Sequence, residues 1–391
     1  MPIDSQIHRI GVDGNEANTS NRVGSNVYAF EILHELEKQT RNNSDVEWQI
    51  YLSSEPVKDM PPKRKGWKYI LVRPSAFATQ WGLPIRLWKD RKKLDVFFTP
   101  GHYAPRACPI PYVSSVMDLA YLKFPTQFKL RDLYQLKNWT AYSIRKAKHI
   151  IAISESTKKD VVNTYRIPEN KITVAYPALL PNRSTSVPDQ KKVLKKFGLK
   201  KPFLLYVGTL QPRKNLTRLI KAFEGLADEF SEKQNGEFEI DLVIAGKIGW
   251  LADDIVRKAK NSRYASNIHL LGYVNDEEKA VLYQKTLATV LVGLYEGFGM
   301  PPLEALAYGK RSVVSNNSSL PEVVGKTGIL VDPHSVPSIT EGLKKAIKMY
   351  QKDSTNWNKL AKEQLKKFSW EKSAGKILTA LMNIKHENNR V

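Results

Sequence analysis

The sequence predicts an α/β protein built from two doubly wound parallel sheets. Strand-like runs of β-branched and aliphatic residues alternate with segments of helical period along almost the whole chain. At 391 residues the chain is longer than a single core supports. A polar stretch with three prolines, Tyr176 to Gln190 (YPALLPNRSTSVPDQ), divides the alternation into two series. The expected domains are therefore residues 1–180 and 190–368. In such folds ligands bind at the carboxyl edges of the strands, here expected to face a shared cleft.

The first series opens with a strand at Ile7 to Val12. The loop Asp13 to Ser25 is rich in Gly, Asn, Ser and Thr, and Gly24 stands just before a helix in which Val27, Phe30, Leu33 and Leu36 recur at helical spacing. That loop reads equally as a phosphate-facing turn or as a plain connection. Further strands are expected at Trp48 to Ser53, Asp95 to Phe98, Tyr112 to Val116, His149 to Ile153 and Ile172 to Ala175. Tyr134 to Lys148 reads as a basic helix, and Ser154-Glu-Ser156-Thr157 as a cap for a helix over Lys158 to Tyr165. Asp118 follows a strand end, where it either meets a ligand or caps the next helix.

Lys58 to Lys93 differs in kind. It holds eleven Lys or Arg and two acids, with Trp67, Phe77, Trp81, Leu83, Ile85, Leu87 and Trp88 interleaved. This pattern suits a segment resting on anionic lipid, and equally a solvated helix face with aromatics in the core.

In the second series Lys191 to Phe197 reads as a helix stopped by Gly198, and Phe203 to Val207 as a strand. The loop Gly208 to Asn215 (GTLQPRKN) puts Arg213 and Lys214 in a strand-to-helix turn, suited to phosphate oxygens. A helix with Leu216, Leu219, Ile220, Phe223, Leu226 and Ala227 on one face follows, then strands at Ile240 to Ala245, Ile268 to Leu271 and Ser312 to Val314. Between the last two lies the densest stretch of devices, Leu294 to Gly309 (LYEGFGMPPLEALAYG). An apolar strand from Leu287 to Leu294 would end at Glu296. Gly297, Phe298 and Gly299 allow a tight turn; Pro301 and Pro302 suit a helix start, with Glu304 in the first turn and Gly309 as the stop. Such a turn aims backbone N–H groups and a helix dipole at one point, where an anion can sit.

The formal net charge of +22, from 61 Lys plus Arg against 39 Asp plus Glu, favours anionic partners such as phosphate-bearing substrates, a membrane face or nucleic acid. No recognised nucleic-acid motif accompanies it, so nucleic acid is the less favoured of these. A single cysteine, Cys108, suits a reducing compartment, and no apolar leader or spanning segment is evident, so a cytoplasmic location is expected. Neither a D-x-D pair nor a cluster of metal-ligating residues is present, so no metal and no cofactor is expected. Gly325-Lys-Thr327 lacks the first glycine of a P-loop, because Leu320 stands there, and no G-x-S-x-G occurs.

Glu296 and Glu304, separated by the seven residues GFGMPPL, together with YVGTLQPRKNL at 206–216 and SLPEVVG at 319–325, resemble the family 4 retaining glycosyltransferases with the GT-B fold. The likeness extends to IAISEST and to a late FSWEKSA. The resemblance implies that residues 369–391 form a helix packing back on the first domain. It implies that Arg213 and Lys214 bind the donor diphosphate, that Glu304 holds the ribose, and that Glu296 with Gly297, Phe298 and Gly299 meets the transferred sugar. Met300 and Pro301 would bring backbone to the phosphates, as would Gly208 and, from the N-terminal domain, Gly24. Gly272, Tyr273 and Val274 would border the base. Many relatives carry a histidine before the aspartate in the segment that here reads SSVMDLAYLKFP; Met117 stands in its place, so that either Asp118 takes over part of its catalytic work or the donor's own phosphate chemistry does. His102 is no assumed substitute. The implied reaction is metal-independent hexosyl transfer with retention. GDP-mannose is the first-choice donor, UDP- and dTDP-sugars are alternatives, and a glycan or lipid-linked hydroxyl is the acceptor. A nucleotide-sugar epimerase of the same fold and a non-catalytic nucleic-acid binder are the rival readings.

Overall fold

The structure is a computed structural model that describes residues 7–74, 81–101, 103–180, 189–234, 238–350 and 355–384. Phe77, His102 and residues 181–188 of the linker lie outside the described residues. The chain divides into two compact units, one of residues 1–177 with 369–391 and one of residues 178–368.

The first unit begins with β1 (His8–Asp13), α1 (Ser25–Thr40), β2 (Val46–Leu52), β3 (Trp67–Leu71) and α2 (Leu83–Asp90). It continues with β4 (Val96–Thr99), β5 (Tyr112–Val116), α3 (Ala120–Lys123), α4 (Leu130–Gln135), α5 (Ala141–Lys146), β6 (His149–Ala152), α6 (Glu155–Tyr165) and β7 (Ile172–Val174). The seven strands form one parallel sheet ordered β3-β2-β1-β4-β5-β6-β7. Every residue of β4 and β5 is buried, as expected for central parallel strands covered on both faces. Ser154 caps α6 by accepting from the Thr157 N–H.

Two expectations change here. The basic helix expected at Tyr134 to Lys148 starts earlier, and a π-turn over Leu136–Thr140 joins α4 to α5. The segment Lys58 to Lys93 is not one helix. It contains β3, whose Trp67 is wholly buried against Trp48, followed by a short helix with Leu83 and Leu87 inward. Trp81 and Trp88 remain exposed, at 67% and 53%.

The second unit runs α7 (Gln190–Lys196), β8 (Phe203–Val207), α8 (Leu216–Gln234), β9 (Asp241–Ala245), α9 (Asp253–Lys260), β10 (Ile268–Gly272) and α10 (Asp276–Lys285). It then runs β11 (Ala288–Leu291), α11 (Met300–Ala307), β12 (Ser312–Ser315), α12 (Leu320–Val324), β13 (Ile329–Val331), α13 (Val336–Tyr350) and α14 (Thr355–Leu365). Its parallel sheet is ordered β10-β9-β8-β11-β12-β13. The strand order reverses between β8 and β11, the crevice position at which doubly wound sheets bind ligands.

After Phe368 the chain returns to the first unit as α15 (Trp370–Met382). Ser369 caps this helix through the Lys372 N–H, and Trp370 meets Tyr28 of α1 edge-on at 5.8 Å. The Ser373 hydroxyl donates to the Tyr176 carbonyl at 2.6 Å and Lys376 to that of Val174 at 3.0 Å. Ile377 and Leu381 are fully buried on the inward face. Leu381→Ala should lower stability by about 2–5 kcal/mol, read as a lower urea midpoint for the transition that includes α1.

Candidate functional site

The two loops that meet at the strand-order reversal carry the charged groups. After β8, Gly208 to Asn215 ends in a short 3-10 turn, Pro212–Lys214. Asn215 closes it in the left-handed conformation, with φ 62°, and its buried amide donates to the Val292 and Pro333 carbonyls at 2.9 and 2.7 Å. This fastens the loop after β8 to the end of β11, across the reversal.

β11 is shorter than expected, stopping at Leu291, so Glu296 stands in the loop beyond the strand and not at its end. The Glu296 carboxylate is buried between the two cations of the neighbouring loop. Lys214 Nζ reaches both carboxylate oxygens, at 2.6 and 2.7 Å, and Arg213 Nη1 lies 3.4 Å from Oε2. Arg213 Nη1 also donates to the Tyr295 carbonyl at 3.1 Å. Burial pushes the Glu296 carboxyl upward, but the charges of Lys214 and Arg213 outweigh it and hold the group below its ordinary 4.5.

Backbone closeness makes this arrangement possible. A Cβ on Gly246 would stand 1.9 Å from the Gly208 carbonyl oxygen, so the loops after β8 and β9 touch through bare backbone. Gly299, at φ 103°, begins α11 where a Cβ would strike Leu320 at 2.5 Å. Met300, Pro301 and Pro302 form the first turn, and Phe298 is buried edge-on against Phe368. The loop from Gly293 to Phe298 is also held from β12 and the turn after it. Ser315 donates to the Gly293 carbonyl at 2.7 Å, Ser318 accepts from the Glu296 N–H at 3.1 Å, and the Ser319 hydroxyl is within 2.8 Å of the Glu296 carbonyl and 2.7 Å of that of Phe298. These serines had no functional reading in sequence, where SLPEVVG marked resemblance alone.

Glu304 is the fifth residue of α11 and so lies in its second turn, a correction to the expected first-turn position. A helix dipole is weak there, and side chains of α10 hold it instead. The Tyr283 hydroxyl donates to Oε2 at 2.6 Å and Lys279 Nζ to Oε1 at 3.2 Å. Both partners escaped notice in sequence because α10 was not recognised, although its Asn275–Glu278 capping box is legible there. Past β10, Tyr273 is exposed under Lys247 Nζ, 4.9 Å from its ring centroid, whereas the Val274 side chain is buried in the core.

In the first unit, Gly24 precedes α1 as its N-cap. Asp118 Oδ1 accepts from the Ala120 N–H at 2.9 Å, a local bond just ahead of α3, whose N-cap is Leu119. Among the described residues no group of three or more His, Cys, Asp or Glu is arranged to hold a metal ion.

Glu296→Gln should leave Lys214 buried beside a neutral partner and lower stability by about 3–5 kcal/mol at pH 7, whereas Lys214→Met with Glu296→Gln should recover part of that loss. The depressed carboxyl sets the pH dependence. Its contribution is fully present above the unfolded value and is lost as pH falls through the lower folded value, so the gap in urea midpoint between wild type and Glu296→Gln should stay constant from pH 7 to pH 5.

Comparison with known proteins gives a consistent picture. Residues 24–183 match the family described as Glycosyltransferase Family 4, and residues 189–364 match the Glycosyl transferases group 1. The O-antigen chain mannosyltransferase B of Escherichia coli is 29% identical over 318 residues, covering 80% of this chain and 78% of that one. The serotype-specific mannosyltransferase WbdA of Escherichia coli is 29% identical over 245 residues, 59% of this chain, which spans only 28% of that longer protein. Anabaena Alr3699/HepE, solved in complex with UDP, superposes with a TM-score of 0.67 at 17% identity, over 96% of this chain and 99% of that one.

Proposed function

The chain belongs to the family 4, group 1 glycosyltransferases with the GT-B fold, and on that premise we propose that it is a retaining mannosyltransferase. Its donor is GDP-mannose and its acceptor a hydroxyl of a growing, lipid-linked surface polysaccharide. The observation that carries the reading is the buried Lys214–Glu296–Arg213 cluster at the strand-order reversal. The mannosyltransferase names of the relatives support the choice of sugar.

The reaction needs little covalent chemistry from the protein. The bond from the anomeric carbon to the diphosphate oxygen breaks, and its electron pair leaves with the phosphate. Arg213, Lys214 and the N-terminal end of α11 stabilise that charge, with Gly208, Met300 and Pro301 bringing backbone near it. The acceptor oxygen bonds to the same face of the carbon, and its proton passes to the leaving phosphate oxygen. Because the protein's own cations carry the developing charge, the transfer proceeds without a divalent metal. Glu296 has two tasks: it holds Lys214 and Arg213 in place before the donor arrives, and with Gly297, Phe298 and Gly299 it meets the sugar hydroxyls. Glu304, fixed by Tyr283 and Lys279, takes the ribose. Tyr273 and the backbone of Val274 border the base, and Asp118 supports the acceptor side.

A location on the cytoplasmic membrane face fits the α2 surface. Trp81, Ile85 and Trp88 are exposed there at 67%, 51% and 53%, with Arg86, Lys89, Arg91, Lys92 and Lys93 around them. Among the described residues no helix is long and apolar enough to cross a membrane.

Calorimetric titration with GDP-mannose, UDP-glucose and dTDP-rhamnose tests class and base together. GDP-mannose should bind best, and transfer should persist in chelator with the anomeric configuration kept, as read by NMR of the product; chelator inhibition reversed by manganese, or inversion, would overturn the mechanism. Glu304→Ala should chiefly weaken nucleotide affinity, while Glu296→Ala should chiefly lower kcat. Replacing Trp81, Trp88, Lys92 and Lys93 together should release the enzyme from vesicles containing phosphatidylglycerol without changing its affinity for the donor.

A further inference from the structure

The sheet of the second unit ends at β13, whose outer side is open. In a parallel ladder the N–H and C=O of one residue point to the same neighbour, and those of the next residue point to the other side. The Val331 carbonyl accepts from the Asn316 N–H, just past β12, at 2.8 Å, so the N–H and C=O of Leu330 point away from β12. The next outward N–H, that of Asp332, is taken by the Ser338 hydroxyl of α13 at 3.0 Å. Beside the open edge lies a groove of about 570 Å³ between β13 and α13. Its helical wall is one stripe, in which Ser338, Glu341, Lys345 and Lys348 follow at steps of three and four residues. Gly342 sets the spacing: a Cβ there would stand 2.4 Å from Val331 Cγ1 and 3.8 Å from Ile329 Cγ2, so bare backbone lets α13 lie against these two side chains. Leu330 alternates with them and so faces the opposite side of the sheet, where it is 48% exposed. Lys344 is held by Glu229 and Glu341, at 2.6 and 3.0 Å. Lys345 and Lys348 are exposed, and among the described residues neither has a carboxylate partner.

We propose that the open edge of β13 docks an extended, acidic segment of a partner protein, which adds a strand to the sheet. Edge strands are commonly guarded by a lysine, a proline or a bulge in the strand itself. β13 reads ILV and pairs with β12 in regular register, so it carries none of these. An added strand would bond to the N–H and C=O of Leu330, and its side chains would alternate between the two faces of the sheet. Those on the α13 face meet Lys345 and Lys348, which calls for carboxylates there. Those on the other face meet Leu330, which calls for apolar groups. The stripe from Ser338 to Met349 is about 16 Å long, which about five extended residues span. A second copy of this chain suits the edge poorly, because it would set one lysine pair against another between molecules of formal charge +22. The surface shares no residue with the Lys214–Glu296–Arg213 cluster and does not depend on which sugar is transferred.

The test is made on the full chain labelled with ¹⁵N-leucine, the Leu330 amide signal being identified by its loss in Leu330→Val. The probe is a capped peptide of alternating Glu and Val, about seven residues long. It should shift the Leu330 amide saturably and slow its hydrogen exchange, and Lys345→Glu combined with Lys348→Glu should weaken that binding by at least about tenfold. Both lysines are exposed, so loss of the response there does not depend on a core substitution folding. A peptide with every Val replaced by Pro keeps the carboxylates but favours polyproline II over a paired strand, and it should leave Leu330 unmoved. Equal binding of the two peptides would mean that the lysines only attract anions, and it overturns the proposal. Vesicles of phosphatidylglycerol that shift Leu330 where the Glu-Val peptide does not would give the surface to a membrane instead. A Leu330 amide that the Glu-Val peptide leaves unmoved, or an affinity indifferent to the lysine substitutions, overturns the proposal as well.

Discussion

The second unit depends on one carboxylate placed between two cations. Glu296 is buried with Lys214 and Arg213 around it. Taking three charges out of water is costly unless each has a partner close at hand. The surrounding structure supplies that closeness. Asn215 ties one loop to the end of β11, Ser318 and Ser319 fix the backbone on both sides of Glu296, and bare glycine backbone lets the loops after β8 and β9 touch. The same interaction that holds the loops together sets two cations beside the strand-order reversal.

Glu304 shows the alternative way to hold an acid. It is only partly buried, and its partners sit on α10, the helix before β11, so its position follows from helix-against-helix packing more than from loop geometry. Two acids eight residues apart in one stretch are thus anchored by different elements. That separation gives a physical basis for assigning them different tasks. The first unit shows a comparable economy: α15, arriving from the far end of the chain, closes α1 and covers the end of β7 with side-chain bonds to the Tyr176 and Val174 carbonyls.

Much of this was legible in the sequence, because the signals are local. Two series of alternating strands and helices and helix stops such as Gly198 and Gly309 all act within a few residues, and each reads the same in the folded protein. The strand at Tyr112 to Val116 and that at Phe203 to Val207 fall where their apolar runs place them. β3 escaped because its five residues, WKYIL, lie in a strongly basic segment whose charge pattern obscures them, although the sheet buries Trp67 completely. The strand before Glu296 looked longer than it is, since an apolar run continues past the point where ladder pairing stops.

From the sequence alone came the fold class, the doubly wound order, the strand-to-helix placement of Arg213 and Lys214, and the paired acids of the stretch from Leu294 to Gly309. All of these rest on period, turn chemistry and residue type, which the chain carries at every point. Tertiary structure alone decided which charges meet. Lys214 is 82 residues from Glu296 in the chain, and Tyr283 is 21 from Glu304. No local preference can bring such pairs together. For the first pair strand order does so, by setting β8 beside β11 and bringing the loops at their carboxyl ends together; for the second, α10 and α11 do so with side chains that face each other.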